Sequence, residues 1–375
     1  MARKKLQNSK KVSRKKSVPA KRKALRRAPL SAKKQKKPVS KKRKILDKSS
    51  VNPILAPNPE HEWEAWQVFN PGVILLADST HFMYRAIGTD GISRFGYAAS
   101  QDGFHIAERL PYPAYEHKTK HKTFNVFSYS SGGSFSGAED PRLTRVGAEK
   151  VLYMTYTACD EGLRMALTSI AVDDFLAHRW KWKPPVFLSP PDEVHKNWVI
   201  FPEKIRGRYA ILHNLTPDVE IAYVDDLLFD DNRYIRSNYM PTTRKNCWDG
   251  RIRGVGAPPL KTKYGWLVLY HAMENDDFSK YKVGAMILDE DDPTRVLHRS
   301  PVPVLEPSEP YEHTGYKGGV VYVTGVVEKN GTLFIYYGAA DSTVGVACAP
   351  LETFLSALMR GEKPAVLTTT ITKKK

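Results

Sequence analysis

Glu139-Asp140-Pro141-Arg142 is the segment of this chain best suited to acid chemistry. Two adjacent carboxylates stand beside a proline that restrains the backbone and an arginine able to hold a carboxylate in place or lower its pKa. A Ser/Gly-rich stretch, 128–136, leads into it. On residue types alone, an acid, a proline and an arginine in a turn read first as structure. His271, beside Tyr270, reads first as a core or rim histidine. The chain has 11 histidines and no His-Glu-x-x-His spacing, so no metal site is expected. Gly254-Val255-Gly256 lacks the strand-to-helix context and the later glycine of a dinucleotide loop, so no nucleotide cofactor is expected either.

The elements that must position these residues repeat. Five times a strand-length apolar run rich in β-branched and aromatic residues is followed by a polar gap and a second such run. The first runs are Phe82-Met83-Tyr84-Arg85, Leu152-Tyr153-Met154-Thr155-Tyr156, Tyr209-Ala210-Ile211-Leu212-His213, Trp266-Leu267-Val268-Leu269-Tyr270-His271 and Leu333-Phe334-Ile335-Tyr336-Tyr337. Their spacing of roughly 55 to 70 residues suits one four-stranded unit with its loops. No copy carries a helix-length apolar stripe. An all-β, five-bladed β-propeller is the expected fold, with an irregular β-sandwich as the plainer alternative.

The formal charge of +18 is not spread evenly. Residues 1–50 hold 22 Lys and Arg and one acid, Asp47, leaving residues 51–375 close to neutral. Without an aromatic residue, residues 1–50 cannot bury enough surface to offset chain entropy, so a disordered Lys/Arg-rich tail is expected, followed by a single catalytic domain over 51–375. Such a tail suits non-specific association with polyanions such as nucleic acid or an anionic surface, or serves only as a tether. No apolar stretch reaches signal-peptide or membrane-spanning length. Cys159, Cys247 and Cys348 are odd in number and lack ligand spacing, so a soluble, cytoplasmic protein is expected.

Glu139-Asp140-Pro141-Arg142 is followed in order by Phe201-Pro202-Glu203-Lys204-Ile205-Arg206-Gly207-Arg208-Tyr209, by Gly254-Val255-Gly256-Ala257-Pro258-Pro259 leading to Gly265-Trp266-Leu267-Val268-Leu269-Tyr270-His271, and by Tyr336-Tyr337-Gly338-Ala339-Ala340-Asp341. In this order the motifs resemble glycoside hydrolase family 130, the β-mannoside phosphorylases and β-mannosidases, over roughly residues 65–358. The resemblance implies a five-bladed propeller with an axial site and inverting cleavage of β-mannosides, with Asp140 as the acid acting through the 3-hydroxyl of the mannosyl ring. Inversion requires a nucleophile on the opposite face, either phosphate or activated water.

The same resemblance implies Arg94 and Asp341, with Arg85 and Arg142, as substrate-binding residues. Taken alone, Asp341 would read as a hairpin-turn aspartate and Arg94 as a solvated strand residue. Phosphorolysis calls for cations that desolvate and aim a dianion. Lys196 and Asn214 stand where family phosphorylases carry two arginines, while Arg251 or Arg253, His271 and Tyr281 correspond to further phosphate-contacting positions. The two missing arginines favour hydrolysis slightly, with Glu203 as the base that activates water and Glu309 and Glu312 behind it; Glu203 reads equally as an ion-pair partner of Lys204 or Arg206. The alternative is phosphorolysis with inorganic phosphate as co-substrate, giving α-mannose 1-phosphate. A second alternative is a noncatalytic binding module docked by its basic tail. Oligomeric state and leaving-group sugar are not specified.

Overall fold

The computed structural model describes residues 46–118, 128–160, 162–229, 233–237 and 247–361. The expected tail, with its polyanion partners, falls mainly on residues 1–45 and lies outside the described residues. Each of the five sequence repeats is an antiparallel hairpin. In chain order these are Ser79–Ile87 with Ile92–Ser100, Val151–Cys159 with Leu163–Ala171, Tyr209–Asn214 with Glu220–Val224, Gly265–Met273 with Lys282–Leu288, and Thr332–Ala339 with Thr343–Pro350. A preceding strand pairs with the first strand of each: Gln67–Leu76, Ser136–Arg145, Val199–Ile200, Arg251–Val255 and Val321–Lys329. A short parallel pairing of Ile92 and Ser93 with Ser136 and Gly137 merges the first two units into one eight-stranded sheet.

The near-continuous apolar runs follow from burial on both faces. Successive side chains of a strand point to opposite sides. In Gly265–Met273, Trp266, Val268 and Tyr270 join one apolar cluster with the third hairpin, whereas Leu267 and Leu269 join another with the fifth. In Thr332–Ala339, Leu333, Ile335 and Tyr337 face the fourth hairpin while Phe334 and Tyr336 face the first. Further clusters link the first hairpin to the second and the second to the third. One contact recurs inside the units: Tyr84, Tyr270 and Tyr337 lie opposite Gly96, Gly284 and Gly345 in the ladders. A Cβ on Gly96 would sit 2.3 Å from the Tyr84 ring, so the ring lies flat on bare backbone.

The folded body begins earlier than residue 51. Leu46 is fully buried, and Asp47–Lys48 form a strand paired with Cys348 and Ala347 of the last hairpin. The basic count of the first fifty residues therefore includes one lysine of the core. Lys48 Nζ, 6% exposed, lies 2.5 Å from Oε2 of Glu312, which also accepts from Ser308 N, while Glu312 Oε1 accepts from Tyr337 Oη. Glu312 is thus a structural anion that fastens the first strand to the last sheet and not a second-rank catalytic base; Glu309 caps the same short turn, Pro310–Glu312. Removing one partner leaves a buried charge uncompensated, so Lys48→Met is expected to destabilise by about 3 to 5 kcal/mol, and Lys48→Met with Glu312→Gln to recover much of it. Urea unfolding of the two variants checks this.

Candidate active site

Asp140 owes its position to a bulge. Glu139 lies opposite Thr157 and Arg142 opposite Thr155, so Asp140 and Pro141 together face the single residue between. Pro141 has no N–H for the ladder, and Asp140 takes a left-handed φ of 52° that turns its side chain out of the pleat. The first unit contains the same device. Asn70-Pro71 forms the bulge between Phe69 and Gly72, with Asn70 at φ 45°. The two turned side chains meet, Asn70 Nδ2 donating to Asp140 Oδ1 at 2.8 Å.

A cavity of about 180 Å³ is built around this pair. Arg85, from the middle of Ser79–Ile87, donates from Nη1 to Asp140 Oδ1 at 3.1 Å and from Nη2 to Ser131 O at 2.7 Å. Lys196 Nζ bonds Glu139 Oε2 at 2.7 Å and also Ser131 Oγ. Arg253, Tyr281, Lys317, Tyr322 and Asp341 complete the wall used below. Asp341 sits in the turn of the last hairpin at φ 49°, so it is both the turn aspartate and a cavity residue. Its neighbour Ala340 accepts from Lys317 N at 2.9 Å, which ties the Lys317 loop to that turn.

Charge separates the two cavity carboxyls. Burial alone would push Asp140 up, but Arg85, Arg142, Lys196 and the Asn70 hydrogen bond more than offset it and hold the group below the usual carboxylate range. Glu139 is held low in the same way, by Arg85 and Lys196 against burial. Burial dominates at Asp341, which is raised to about 6 despite Lys317 and Arg85. Asp140 is therefore favoured as the carboxylate, while Asp341 is raised to about 6.

Of the residues expected at the site, Asp140, Arg85, Lys196, Arg253, Tyr281 and Asp341 line the cavity. Arg142 lies directly behind it, wholly buried, donating to Asp140 O at 2.6 Å, Asn197 Oδ1 at 2.7 Å and Gly256 O at 3.0 Å. The others go elsewhere. Arg94 is held at a strand end by Asp90 at 2.7 Å and Glu116 at 2.8 Å and does not line the cavity. Glu203 is a half-exposed surface residue paired with Lys261 at 2.6 Å; its neighbour Phe201 is the residue the core takes. The ion-pair reading of Glu203 is right in kind, but its partner is Lys261. Arg251 stacks on Phe278 at 4.2 Å, also off the cavity wall. Asn214 ends a strand and turns back to cap Leu215 N. His271 is fully buried behind Tyr322, stacked on it at 3.7 Å, and donates from Nε2 to Val323 O at 2.8 Å. Burial, with Arg142 nearby, pushes its pKa down to about 3, so it supports Tyr322 as a neutral ring and brings no charge to an anion.

Asn70, Asn197, Lys317 and Tyr322 were not singled out from the sequence. Asn70-Pro71 could have been found, because it repeats Asp140-Pro141 at the equivalent strand. Asn197, at φ 68°, accepts from Arg142 and Tyr322 and donates to Arg253 O at 3.0 Å. Lys317 lies in a loop without periodicity and gives no signal.

Comparison with known proteins identifies the family. The family model described as beta-1,4-mannooligosaccharide phosphorylase matches residues 32–360. The 1,2-beta-oligomannan phosphorylase of Thermoanaerobacter sp. (strain X514) is 36% identical over 82% of this chain and 98% of its own length. The beta-1,2-mannobiose phosphorylase of the same organism is 33% identical over the same shares. Among solved structures, the beta-1,2-mannobiose phosphorylase from Listeria innocua in complex with beta-1,2-mannobiose superposes with a TM-score of 0.66 at 25% identity, covering 84% of this chain and 99% of that one. The chain belongs to glycoside hydrolase family 130.

Proposed function

We propose that this protein is a β-mannoside phosphorylase, acting on β-1,2-linked manno-oligosaccharides and passing the non-reducing mannosyl group to inorganic phosphate with inversion. The observation that carries this reading is the composition of the cavity wall. Arg85, Lys196, Arg253 and Lys317 line it, and Asp140 and Asp341 are its only carboxylates among the described residues. An inverting hydrolase needs a second carboxylate across the sugar to activate water. Glu203, the residue expected in that role, is at the surface with Lys261. This favours phosphorolysis over the hydrolysis expected from the sequence, and the names of the relatives point the same way.

The fold is part of the proposal. Apolar clusters join the first hairpin to the second and so on through the fifth, which packs back on the first. We read this cycle as a closed five-bladed propeller whose inner strands carry the site. Cys159, Cys247 and Cys348 form no disulfide, which suits a cytoplasmic setting.

In this mechanism Asp341 and Arg85 hold the mannosyl hydroxyls and Asp140 delivers the proton to the departing oxygen. Phosphate takes the side of Lys196, Arg253 and Tyr281, and Lys317 stands in for the charge that Asn214 does not supply. Lys317 Nζ lies 4.6 Å from the centre of the Tyr281 ring and makes no hydrogen bond to a described protein group, so it is free to meet an anion. The dianion also neutralises the cations that depress Asp140, raising its pKa once both substrates are bound. The acid is thereby armed only when a nucleophile is present.

Four measurements test this. With β-1,2-mannobiose, α-mannose 1-phosphate is expected only when phosphate is supplied, and Asp140→Asn is expected to lower kcat by about 100- to 10,000-fold; mannose release independent of phosphate overturns the reading. Lys317→Met is expected to raise KM for phosphate roughly tenfold with KM for the mannoside little changed, by initial rates. Asp341 binds hydroxyls as a carboxylate, so KM for the mannoside is expected to rise as pH falls through about 6, a dependence lost in Asp341→Asn. Because burial raises the folded carboxyl above the ordinary aspartate value of 3.8, ionising Asp341 opposes folding above that pH. Asp341→Asn should therefore stabilise the unliganded protein by roughly 3 kcal/mol at pH 7, and by nothing below about pH 4.

A further inference from the structure

Three aromatic side chains from separate segments meet close in sequence to the cavity residues Ser131, Gly132 and Lys317, and the catalytic machinery uses none of them. Trp66 is 43% exposed and Tyr129 is 84% exposed. The Trp66 and Tyr316 rings meet edge to face at 5.5 Å, and Tyr129 lies against Tyr316 at 6.2 Å. Gly133, at φ 93°, passes beneath the first pair; a Cβ there would sit 3.0 Å from Tyr316 and 3.1 Å from Trp66. The cluster is anchored to the cavity at each member. Tyr316 precedes Lys317, and its backbone N–H donates to Ser342 Oγ, one residue beyond Asp341. Tyr129 belongs to the short turn Ser128–Ser131 that ends on the cavity residue Ser131. Trp66 precedes Gln67, whose amide nitrogen, in the orientation that satisfies its neighbours, donates to Gly132 O at 2.6 Å and Asp341 O at 3.0 Å.

We infer that Trp66, Tyr129 and Tyr316 form a platform for the sugar on the leaving side of the scissile bond, through the apolar C–H face of the pyranose ring. An exposed aromatic cluster is costly in water unless something covers it. Aromatic rings offer broad, stiff contact area with few torsions to freeze. The occupant follows from continuity with the cavity. Once a mannosyl ring sits against Asp341 and Arg85, with phosphate beside Lys196 and Arg253, a volume of about 180 Å³ is filled, and the rest of the saccharide extends beyond it, where the segments 131–133 and 316–317 place these rings next to the wall. The platform thus sets affinity for the acceptor side and leaves the chemical step to Asp140.

This inference rests on the proposed cleavage of β-mannosides, and two readouts keep the two apart. In the synthetic direction, with α-mannose 1-phosphate as donor and mannobiose as acceptor, Trp66→Ala and Tyr129→Ala are each expected to raise the acceptor KM roughly tenfold and to leave the donor KM unchanged. Equal shifts in both, or no shift in the acceptor KM, overturn the platform. Calorimetric titration with β-1,2-mannotriose compares Asp140→Asn with the same variant carrying Trp66→Ala or Tyr129→Ala, where the expected change is a roughly tenfold weaker Kd. If wild type makes no mannose 1-phosphate yet the rings still govern mannotriose binding, the platform stands and phosphorolysis falls. Identical Kd values in all three variants remove the platform. Both rings are exposed, so their removal leaves the folded core intact, which circular dichroism verifies.

Discussion

One guanidinium joins three parts of the chain at the floor of the site. Arg142 is wholly buried, and its donors are satisfied by Asp140 O, Asn197 Oδ1 and Gly256 O, which belong to three different repeats. A buried guanidinium cannot lose its proton and cannot be left without acceptors. The three backbone segments must therefore stay where their oxygens point at it. The bulge at Asp140-Pro141 is fixed from beneath by this contact and from the side by Asn70 and Arg85. The left-handed backbone of Asp140, unfavourable on its own, is held by surrounding hydrogen bonds and not by its ladder.

The same scaffold supports the proposed binding of an anion in the cavity. Glu139 is spent internally, bonded to Ser131, Ser134 and Lys196 and near Arg85, so it balances cations without facing substrate. Lys317 and Asp341 interact through space, and burial raises the Asp341 carboxyl to about 6 in spite of that cation. Lys317 and Arg253 thus bring cationic groups to one part of the wall, and Asp140 is paired with Arg85 in another. Phosphate entering the first region relieves both its own desolvation and the excess positive field on Asp140.

The five β-hairpins were legible because periodicity carries them. Each repeat supplies alternate side chains to two neighbouring clusters, so nearly every residue of strands such as Gly265–Met273 is apolar, and that continuity is visible without coordinates. Asp140, Arg85, Lys196, Arg253, Tyr281 and Asp341 were legible through motif order. Glu203 and Arg94 were not, because sequence proximity to a motif does not say which way a strand end faces. Phe201 enters the core and Glu203, two residues on, emerges on the same side of the chain as Lys261. His271 fits the motif as well, yet its ring serves Tyr322 and Val323 O rather than the cavity. The strand Asp47–Lys48 was hidden by composition: one buried lysine looks the same as the many around it until its partner Glu312 is known.

In the proposed reading the preference for hydrolysis gives way for a related physical reason. Counting arginines at two aligned positions treats each cation as tied to its place in the sequence, whereas an anion responds to the field at a point. That field is the sum over every cation that reaches the cavity, whichever loop delivers it. Asn214 lies outside the wall, so an arginine there would not by itself decide the chemistry, and Lys317 reaches the wall from a loop that no motif marks. A compact ammonium on a flexible stem can meet a phosphate oxygen without the fixed fork geometry of arginine. Replacement of two guanidiniums by Lys196 and Lys317 therefore preserves charge at the anion while relaxing orientation. The penalty of that exchange falls on how tightly phosphate is aimed, which is a matter of rate and affinity, and not on whether phosphate or water is the nucleophile.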